Sequence, residues 1–360
     1  MSRVVLEGIT KRYPGGVEAV SDVSLVVDDG EFVTLVGPSG CGKTTTLRTI
    51  AGFEQPTDGF VGINENRVNT VPPDKRDIGM VFQDFALFPH KTVEENIAYG
   101  LKVRGYERDQ IDDRVDEMLE LVELPETKDR MPDQLSGGQQ QRIALARAVA
   151  PEPDVLLLDE PLASLDKKLR ETMQVELRRI QRKLDITTIL VTHNQKEALT
   201  MSDRIVVMND GHFEQVGPPE TVYSNPETPF VADFVGTANI LTGSVSSIDN
   251  AVATVDCGHT IVRSTDTDTA EVGDSVSVVF RPEHLSVTDS QTATDGSGEQ
   301  STRFDGEISV RRYTGDQIEY HVQTQTDETI VTVQRVAEAS IQVGTNVSLR
   351  LSADNCLIVN

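Results

Sequence analysis

The chain has 360 residues, of which 38% are hydrophobic and 25% are charged, values that are ordinary for a folded protein with room for two domains. Its formal net charge of -25 argues against non-specific binding of nucleic acid, which needs a basic surface. The three cysteines are too few and too scattered for a disulfide framework or a zinc site.

The acidic charge is distributed along the whole chain. Residues 241–360 hold 18 Asp and Glu against 7 Arg and no Lys. Such even acidity favours a surface that stays hydrated in high salt, and it predicts a salt-adapted protein. The N-terminus shows no apolar signal region, and no apolar run reaches the roughly 18 residues of a membrane span. We therefore expect a cytosolic chain whose membrane-spanning partners, if it works at a membrane, are separate subunits.

Short apolar stretches alternate with helical stretches over residues 1–235, as in an α/β domain with a buried parallel sheet. The apolar stretches are bounded by polar residues, which is typical of strands covered on both faces. One helical stretch spaces its Leu, Ile and Met side chains by three or four residues, which places them on one face. Strands are predicted at 31–37, 154–160 and 187–193, and helices at 47–52 and 167–184.

The character of the sequence changes after a Pro-rich stretch, 216–230, which cannot be a continuous helix or a central strand. Residues 236–360 are rich in Val, Thr, Ser and Asp in short alternating runs, and they predict a second domain, a small all-β barrel or sandwich. Residues 289–303 read as a polar loop. The clearest strands are predicted at 275–280, 318–324, 329–334 and 346–351.

The first chemical motif is GPSGCGKTT at 37–45, which fits the phosphate-binding pattern G-x-x-x-x-G-K-[ST] between a strand and a helix. The glycines let backbone N–H groups surround phosphate oxygens, Lys43 places a charge at the β and γ phosphates, and Thr44 offers a hydroxyl to Mg²⁺. A reagent on Cys41 would block this loop. The residues predicted to bind the nucleotide are Gly37, Ser39, Gly40, Cys41, Gly42, Lys43, Thr44 and Thr45.

The second motif is VLLLDE at 155–160, two carboxylates at the end of a predicted buried strand. Asp159 fits a ligand of Mg²⁺, and Glu160 is then placed to orient or deprotonate an attacking water. The alternative is a solvated turn that happens to hold two acids. The phosphate loop upstream favours the catalytic interpretation.

The third motif is LSGGQ at 135–139. Ser136 can cap a helix, and Gly137 and Gly138 expose backbone N–H groups at a helix start, where the dipole favours an anion. An ordinary helix cap explains the stretch equally well when it is considered alone. Its position in the order of motifs (phosphate loop, VFQD at 81–84, LSGGQ, VLLLDEP, SLD at 164–166, TH at 192–193) is far more specific.

This ordered set resembles the ATP-binding subunits of ABC transporters, over essentially all of residues 1–235. The resemblance implies an α/β P-loop ATPase that uses ATP and Mg²⁺, followed by a small all-β domain. It implies that Tyr13 stacks on adenine, that Gln83 touches Mg²⁺ and that His193 contacts the γ-phosphate. Alternatively, Tyr13 is an aromatic residue of a turn, Gln83 is a polar surface residue and His193 is a histidine at the end of a strand. It also assigns Ser136, Gly137, Gly138 and Gln139 to the family signature and Asp166 to the coupling of two sites.

One residue departs from the family pattern. Asn194 follows His193 where the family usually has Asp. Because the histidine is retained, we expect hydrolysis to survive, with the tuning of His193 altered.

Two further regions resemble importers in particular. In importers the stretch FALFPHKTVEENIAYGL, 85–101, receives a helix of the membrane subunit, so a permease would dock between Phe85 and Pro89; the apolar residues here could alternatively be core. VFRPEHLSV at 279–287 resembles the oligosaccharide-binding-type β-barrel appended to importer ATPases, spanning 236–360. Glu283 and His284 within it are not assigned as a metal site.

The resemblance therefore predicts the ATP-hydrolysing motor of an importer at the cytoplasmic face of the membrane. It would act with a second ATPase subunit, permease subunits and, indirectly, an extracellular solute-binding protein. Two copies would sandwich two ATP molecules, with the signature of one facing the ATP bound by Lys43 of the other. A polyamine, ferric or related small solute is favoured, with sugar as the alternative. A soluble ABC ATPase of DNA repair or translation is disfavoured, because some ninety residues separate Lys43 from LSGGQ and there is one cassette.

Overall fold

The computed structural model describes residues 2–258, 260–267, 270–289, 301–315, 317–325, 328–336 and 341–359. The chain divides into two compact units, Met1–Glu220 and Thr221–Asn360. This division falls earlier than the boundary predicted after residue 235, because a helix at Pro229–Phe234 packs on strands of the second unit.

The first unit contains the following strands and helices. Its strands are β1 (Val4–Arg12), β2 (Glu18–Val27), β3 (Phe32–Val36), β4 (Asp58–Ile63), β5 (Asn66–Arg67), β6 (Ile78–Val81), β7 (Val155–Asp159), β8 (Thr187–Thr192), β9 (Arg204–Asn209) and β10 (His212–Gly217). Its helices are α1 (Lys43–Ala51), α2 (Val93–Val103), α3 (Arg108–Leu121), α4 (Gly137–Val149), α5 (Lys167–Leu184) and α6 (Gln195–Met201), and α7 (Pro219–Ser224) spans the division.

The strands form two sheets. The central sheet has the order β10-β9-β3-β8-β7-β6, and its strands are parallel except for β10. The other sheet, β2-β1-β4-β5, is antiparallel. The predicted α/β architecture with a parallel sheet is confirmed.

The apolar runs of the central strands are explained by burial on both faces. Leu156 and Leu158 of β7 face a core formed with α2 to α5, whereas Val155 and Leu157 face a core formed with α1 and the antiparallel sheet. Successive side chains of a strand point to opposite faces, so a strand between two cores must be apolar at every position. The strands predicted around β3, β7 and β8 are confirmed.

The predicted helix at 167–184 is α5. It begins where the side chain of Asp166 accepts a hydrogen bond from the backbone of Leu169, and it ends at Asp185, whose φ of 50° is left-handed. The predicted helix at 47–52 is the second half of α1, which begins at Lys43.

The parallel arrangement brings the strand ends to one edge. Val36 of β3 pairs with Thr192 of β8, and Asp159 of β7 pairs with Val191 of β8. The residues that follow β3, β7 and β8, together with those after β6, therefore lie along one edge of the sheet. This is where open α/β sheets bind ligands.

The second unit is almost entirely β. Its helix is α8 (Pro229–Phe234), and its strands are β11 (Asn239–Asp249), β12 (Val252–Asp256), β13 (Ile261–Ser264), β14 (Ser275–Phe280), β15 (Leu285–Asp289), β16 (Ser301–Tyr313), β17 (Gln317–Thr324), β18 (Thr329–Arg335), β19 (Asn346–Ser352) and β20 (Leu357–Val359). They form two antiparallel sheets, β13-β12-β11-β14-β20 and β15-β19-β16-β17-β18, around one hydrophobic cluster. The four predicted strands are β14, β17, β18 and β19; most of the predicted loop at 289–303 lies outside the described residues.

Arg281, within the VFRPEHLSV stretch, organises the start of this unit. Its buried guanidinium donates to the carbonyl oxygens of Tyr223, Ala232, Gly236 and Thr237 at 2.8 to 3.2 Å. The Pro-rich stretch is thus fixed as two short helices, α7 and α8, rather than one long helix. Within the described part of the chain, no helix combines the length and apolarity needed to cross a membrane.

Candidate nucleotide-binding site

The loop at 37–45 connects β3 to α1 and requires glycine at two positions. A Cβ on Gly37 would lie 2.1 Å from the carbonyl oxygen of Met208, far inside contact distance. Gly42 has a φ of 109°, and a Cβ there would lie 2.3 Å from the carbonyl oxygen of Ala19. The sequence pattern therefore follows from how tightly this loop packs against its surroundings.

Lys43 is buried at the start of α1, with its ammonium folded into the loop. Its Nζ donates to the carbonyl oxygens of Gly37 at 2.8 Å and Pro38 at 2.7 Å. These bonds keep a positive charge within the loop that fits the phosphate-binding pattern. Cys41 is also buried, with its Sγ 3.6 Å from the Nζ, and burial raises the pKa of its thiol.

Thr44 and Asp159 meet at the end of β7. The Thr44 hydroxyl donates to Oδ1 of Asp159 at 3.4 Å. Burial, the largest cause, and the neighbouring Glu160 raise the pKa of Asp159, while the positive charges of Arg48 and Lys43 act in the opposite direction. A hydroxyl and a carboxylate are ligands that Mg²⁺ accepts, with phosphate and water oxygens completing its shell. Among the described residues, no cluster of three or more His, Cys, Asp and Glu side chains forms a metal site of its own.

Glu160 and His193 form the second pair at this edge. Oε2 of Glu160 lies 3.0 Å from Nδ1 of His193. The φ of Glu160 is 46°, and its backbone N–H donates to the carbonyl oxygen of Val191 at 2.9 Å, which anchors this left-handed turn beside β8. His193 stays exposed, with 57% of its side-chain surface accessible. The structure therefore joins the predicted base and the predicted switch residue in one contact.

The LSGGQ stretch opens α4. The Ser136 hydroxyl accepts from the backbone N–H of Gln139 at 3.4 Å, and the Gln139 side chain accepts from the N–H of Ser136 at 3.0 Å. This reciprocal capping box satisfies two donors at the helix start. Ser136 and Gly137 are exposed. The capping interpretation is thus correct for the side chains, while the exposed helix start stays available to an anion.

Comparison with known proteins identifies the family of the chain. The model of the ABC transporter family matches residues 20–163, and that of the TOBE domain matches residues 278–359. A spermidine/putrescine import ATP-binding protein of Thermobifida fusca is 47% identical over 337 residues, 92% of this chain and 86% of that protein. A Fe(3+) ions import ATP-binding protein of Rhizobium meliloti is 41% identical over 357 residues, 99% of this chain and 98% of that protein. The chain belongs to the ABC transporter ATP-binding proteins.

Solved structures agree with the assignment of the first unit. The dimeric structure of a post-hydrolysis state of an ATP-binding cassette, bound to ADP and phosphate, has a TM-score of 0.54 and 36% identity, and it covers 60% of this chain and 98% of that one. The structure of cbiO1 from Clostridium perfringens, part of the ABC transporter complex cbiONQ, has a TM-score of 0.58 and 29% identity, and it covers 61% of this chain and 89% of that one. This ABC ATPase is of the importer type, with a TOBE domain after its cassette.

Three residues predicted for this site lie outside these contacts. Tyr13 is half-buried, with Nζ of Lys11 5.0 Å from its ring centre. Gln83 follows β6 and is exposed, and its side chain makes no hydrogen bond within the described residues. Asp166 is exposed and caps α5 through Leu169. The groups that these residues are expected to contact, which are adenine, Mg²⁺ and a second nucleotide site, are not among the described residues.

Asn194, the departure from the family pattern, is the cap of α6 in this ABC ATPase. Its Oδ1 accepts from the backbone N–H of Lys196 at 3.0 Å and of Glu197 at 3.4 Å. Its Nδ2 donates to Oε1 of Glu197 at 3.2 Å. Aspartate could supply the same cap, but it could not donate this last bond.

Sequence reasoning missed Arg147 on α4. Its guanidinium donates to the carbonyl oxygens of Phe85 at 2.8 Å and Ala86 at 2.6 Å, and it lies 5.6 Å from the ring centre of Phe88. Phe85 is buried and belongs to the helical core, whereas Phe88 is half-buried. The last two turns of α4 are otherwise Ala, Ile, Leu and Val, so the arginine at this position was the one signal in the sequence for such a contact.

Proposed function

We propose that this ABC ATPase drives uptake of a polyamine or ferric iron, with two copies enclosing two ATP and Mg²⁺. The observation that carries the proposal is the convergence of Lys43, the Thr44–Asp159 pair and the Glu160–His193 pair on one sheet edge. The solute follows from the names of the spermidine/putrescine and Fe(3+) relatives, which match across most of the chain.

The residues of this edge divide the chemistry. Lys43 would exchange its two loop carbonyls for β and γ phosphate oxygens, and Thr44 and Asp159 would hold Mg²⁺, with Gln83 approaching from β6. Bound Mg²⁺ supplies charge neutralisation. Glu160 orients water in line with the γ-phosphorus and accepts its proton as the oxygen between the β and γ phosphates leaves.

The contact between Glu160 and His193 supports a role for the histidine in orienting that base. If Nδ1 donates to the carboxylate, the opposite ring nitrogen donates to a γ-phosphate oxygen only when both nitrogens carry a proton. Tyr13 would stack on adenine. Residues of the 37–45 loop other than Lys43 and Thr44 would bind phosphate through their backbone N–H groups.

The signature residues point to a second copy. Ser136, Gly137, Gly138 and Gln139 would face the γ-phosphate held by the partner's Lys43, and Asp166 would lie between the two sites. The exposed start of α4 supports this, because an anion placed there is stabilised by the helix dipole.

The partners and the location follow from importer function. Permease subunits would dock between Phe85 and Pro89, an extracellular solute-binding protein would deliver the solute, and the ATPase would lie at the cytoplasmic face of the membrane. The net charge of -25 supports a salt-adapted host.

Replacing Glu160 by Gln tests the dimeric mechanism. Glu160→Gln keeps the shape of the side chain but cannot accept the proton, so ATP with Mg²⁺ should trap a dimer on size exclusion while ATP hydrolysis is lost. Glu65→Gln, an exposed and distant change, should hydrolyse ATP normally. Lys43→Ala should neither bind ATP nor dimerise. A Glu160→Gln protein that binds ATP and stays monomeric would refute the sandwich.

The solute requires the assembled transporter. The chain should be purified with the permease subunits encoded beside it and reconstituted in vesicles with their binding protein. Stimulation of ATP hydrolysis by spermidine, putrescine or a ferric salt supports the proposal. Stimulation by maltose alone would overturn it.

A further inference from the structure

Two loops of the site carry residues with separate proposed roles. His193 follows β8 and precedes α6, whereas Asp166 ends the loop at 162–166 and caps α5. The helices α5 and α6 pack against each other, so their first turns lie near both loops. The side chains between these turns therefore determine how the two loops are held together.

Glu197 in the first turn of α6 is the centre of these contacts. It is only 2% exposed. Its Oε2 accepts from the Thr192 hydroxyl at 2.7 Å, and its Oε1 accepts from Nδ2 of Asn194 at 3.2 Å. Thr192 and Asn194 are the residues on either side of His193, and the backbone N–H of Asn194 also donates to the Thr192 hydroxyl at 3.0 Å. One carboxylate thus holds both ends of the histidine turn.

Arg170 in the first turn of α5 connects the same carboxylate to the other loop. Its Nε lies 3.7 Å from Oε1 of Glu197. The guanidinium also donates to the carbonyl oxygens of Leu162 at 3.3 Å and Leu165 at 2.7 Å. These carbonyls bracket the segment that leads to Asp166, so Arg170 fixes this loop as Glu197 fixes the turn at His193.

An ion pair between a buried carboxylate and a half-buried guanidinium is a costly way to join two helices. Burial is the largest effect on Glu197 and raises the pKa of its carboxyl, while Thr192 and Arg170 act in the opposite direction. Apolar side chains of similar volume often stabilise such a position as well or better, so stability alone does not account for the pair. Its directional bonds instead specify one geometry of the two loops.

We propose that Glu197 and Arg170 are positioning residues for ATP hydrolysis, holding His193 in fixed register with the loop that ends at Asp166. This rests on the proposed function, because it assumes that His193 acts on the γ-phosphate. The proposed function places neither side chain on the nucleotide, so we expect both to affect turnover rather than ATP binding. Displacement of a catalytic group by about 1 Å is enough for a loss of roughly a hundredfold.

The chain offers a matched control on the same two helices. Glu171 of α5 and Lys196 of α6 form an exposed ion pair at 2.9 Å. Glu171→Gln and Lys196→Met remove a link between α5 and α6 without touching the carbonyls of either loop. Their turnover should stay close to that of the unchanged protein, as is usual for surface pairs.

The experiment measures kcat and KM for ATP in the full chain, with ATP affinity from a fluorescent ATP analogue and folding from circular dichroism. Glu197→Gln and Arg170→Met should each lower kcat by about tenfold to a hundredfold with KM and ATP affinity nearly unchanged. The double variant should lose less than the product of the two single losses, because the side chains share one contact although each also bonds its own loop. Arg170→Lys, which keeps the charge, should recover part of the loss.

The outcomes separate this proposal from the proposed function. His193→Ala is the reference: if it hydrolyses ATP normally, the role assigned to His193 fails, whatever the other variants do. If His193→Ala is inactive but Glu197→Gln turns over like Glu171→Gln, the positioning proposal is overturned. It is also overturned if Glu197→Gln and Arg170→Met lower ATP affinity and melting temperature together with kcat, since that would mean a purely structural role.

Discussion

Arg147 holds a strained turn, and Arg147→Met should release it. Phe85 and Ala86 have φ values of 59° and 49°, in the left-handed region that residues with a side chain seldom adopt. The guanidinium donates to both of their carbonyl oxygens, at 2.8 and 2.6 Å. Methionine keeps most of the aliphatic length of arginine but removes both donors. The variant therefore isolates what the two hydrogen bonds contribute.

The magnitude follows from opposing terms. Each hydrogen bond from a charged donor contributes about 1.5 to 3 kcal/mol. Each left-handed residue costs roughly 1 to 2 kcal/mol, which is recovered if the turn relaxes once Arg147 is gone. Burial also lowers the pKa of the guanidinium, so removing the charge returns part of its desolvation cost. We expect a net loss of about 1 to 3 kcal/mol in the free energy of unfolding.

Two measurements test this expectation. Urea unfolding followed by circular dichroism should show the loss, and hydrogen exchange should be faster at the amides of 82–88 while those of β19 in the second unit are unchanged. Arg108→Met, at a side chain that is 93% exposed, is the control and should change stability by less than about 0.5 kcal/mol. If Arg147→Met matches Arg108→Met in both measurements, the guanidinium does not hold the turn.

Two further variants probe the phosphate loop and the metal pair. Because burial raises the pKa of Asp159, the folded state disfavours its ionised form, and Asp159→Asn should therefore melt at a higher temperature than the unchanged protein near neutral pH without nucleotide. The difference in melting temperature should shrink as the pH falls through the folded pKa, and equal melting at neutral pH would contradict the prediction. The same variant should lose Mg²⁺-dependent hydrolysis. Gly37→Ala should lower the free energy of unfolding by about 1 to 3 kcal/mol and abolish ATP binding, because its Cβ would lie 2.1 Å from the carbonyl oxygen of Met208. Gly62→Ala, whose Cβ would have its nearest contact at 3.5 Å, is the control and should be tolerated. Similar binding of an ATP analogue by the two variants would refute this.

The sequence predicted those features that depend on local pattern. The strands β3, β7 and β8 were visible because burial between two cores makes every position apolar, and α5 because its apolar residues share one face. The strand ends then share an edge as a consequence of parallel pairing. The edge of the sheet could thus be identified before the structure was known.

Contacts between distant helices were not visible in the same way. Glu197 lies in QKEALTM, a stretch with the composition of an exposed helix, yet it is buried where α6 packs against α5, β3 and β8, with Arg170 beside it. Asn194 looked like a lost charge beside His193, whereas its amide caps α6 and donates to Glu197. A sequence pattern shows which residue stands at a position, but the partner of a polar side chain depends on tertiary packing.

The two glycines of LSGGQ differ in what requires them. A Cβ on Gly138 would lie 2.8 Å from a methyl of Leu169, so a larger residue there would have to displace the end of that side chain on α5. A Cβ on Gly137 would meet Leu165 at 3.6 Å, an ordinary contact, and the residue is exposed. Ser136 and Gln139 each accept the other's backbone N–H through a side-chain oxygen, so the Ser136 hydroxyl and the Gln139 amide N–H groups can still donate to a phosphate, beside the backbone N–H of Gly137. Packing against Leu169 thus favours a small residue at position 138, whereas at the exposed Gly137 binding of a second copy's ATP would account for glycine.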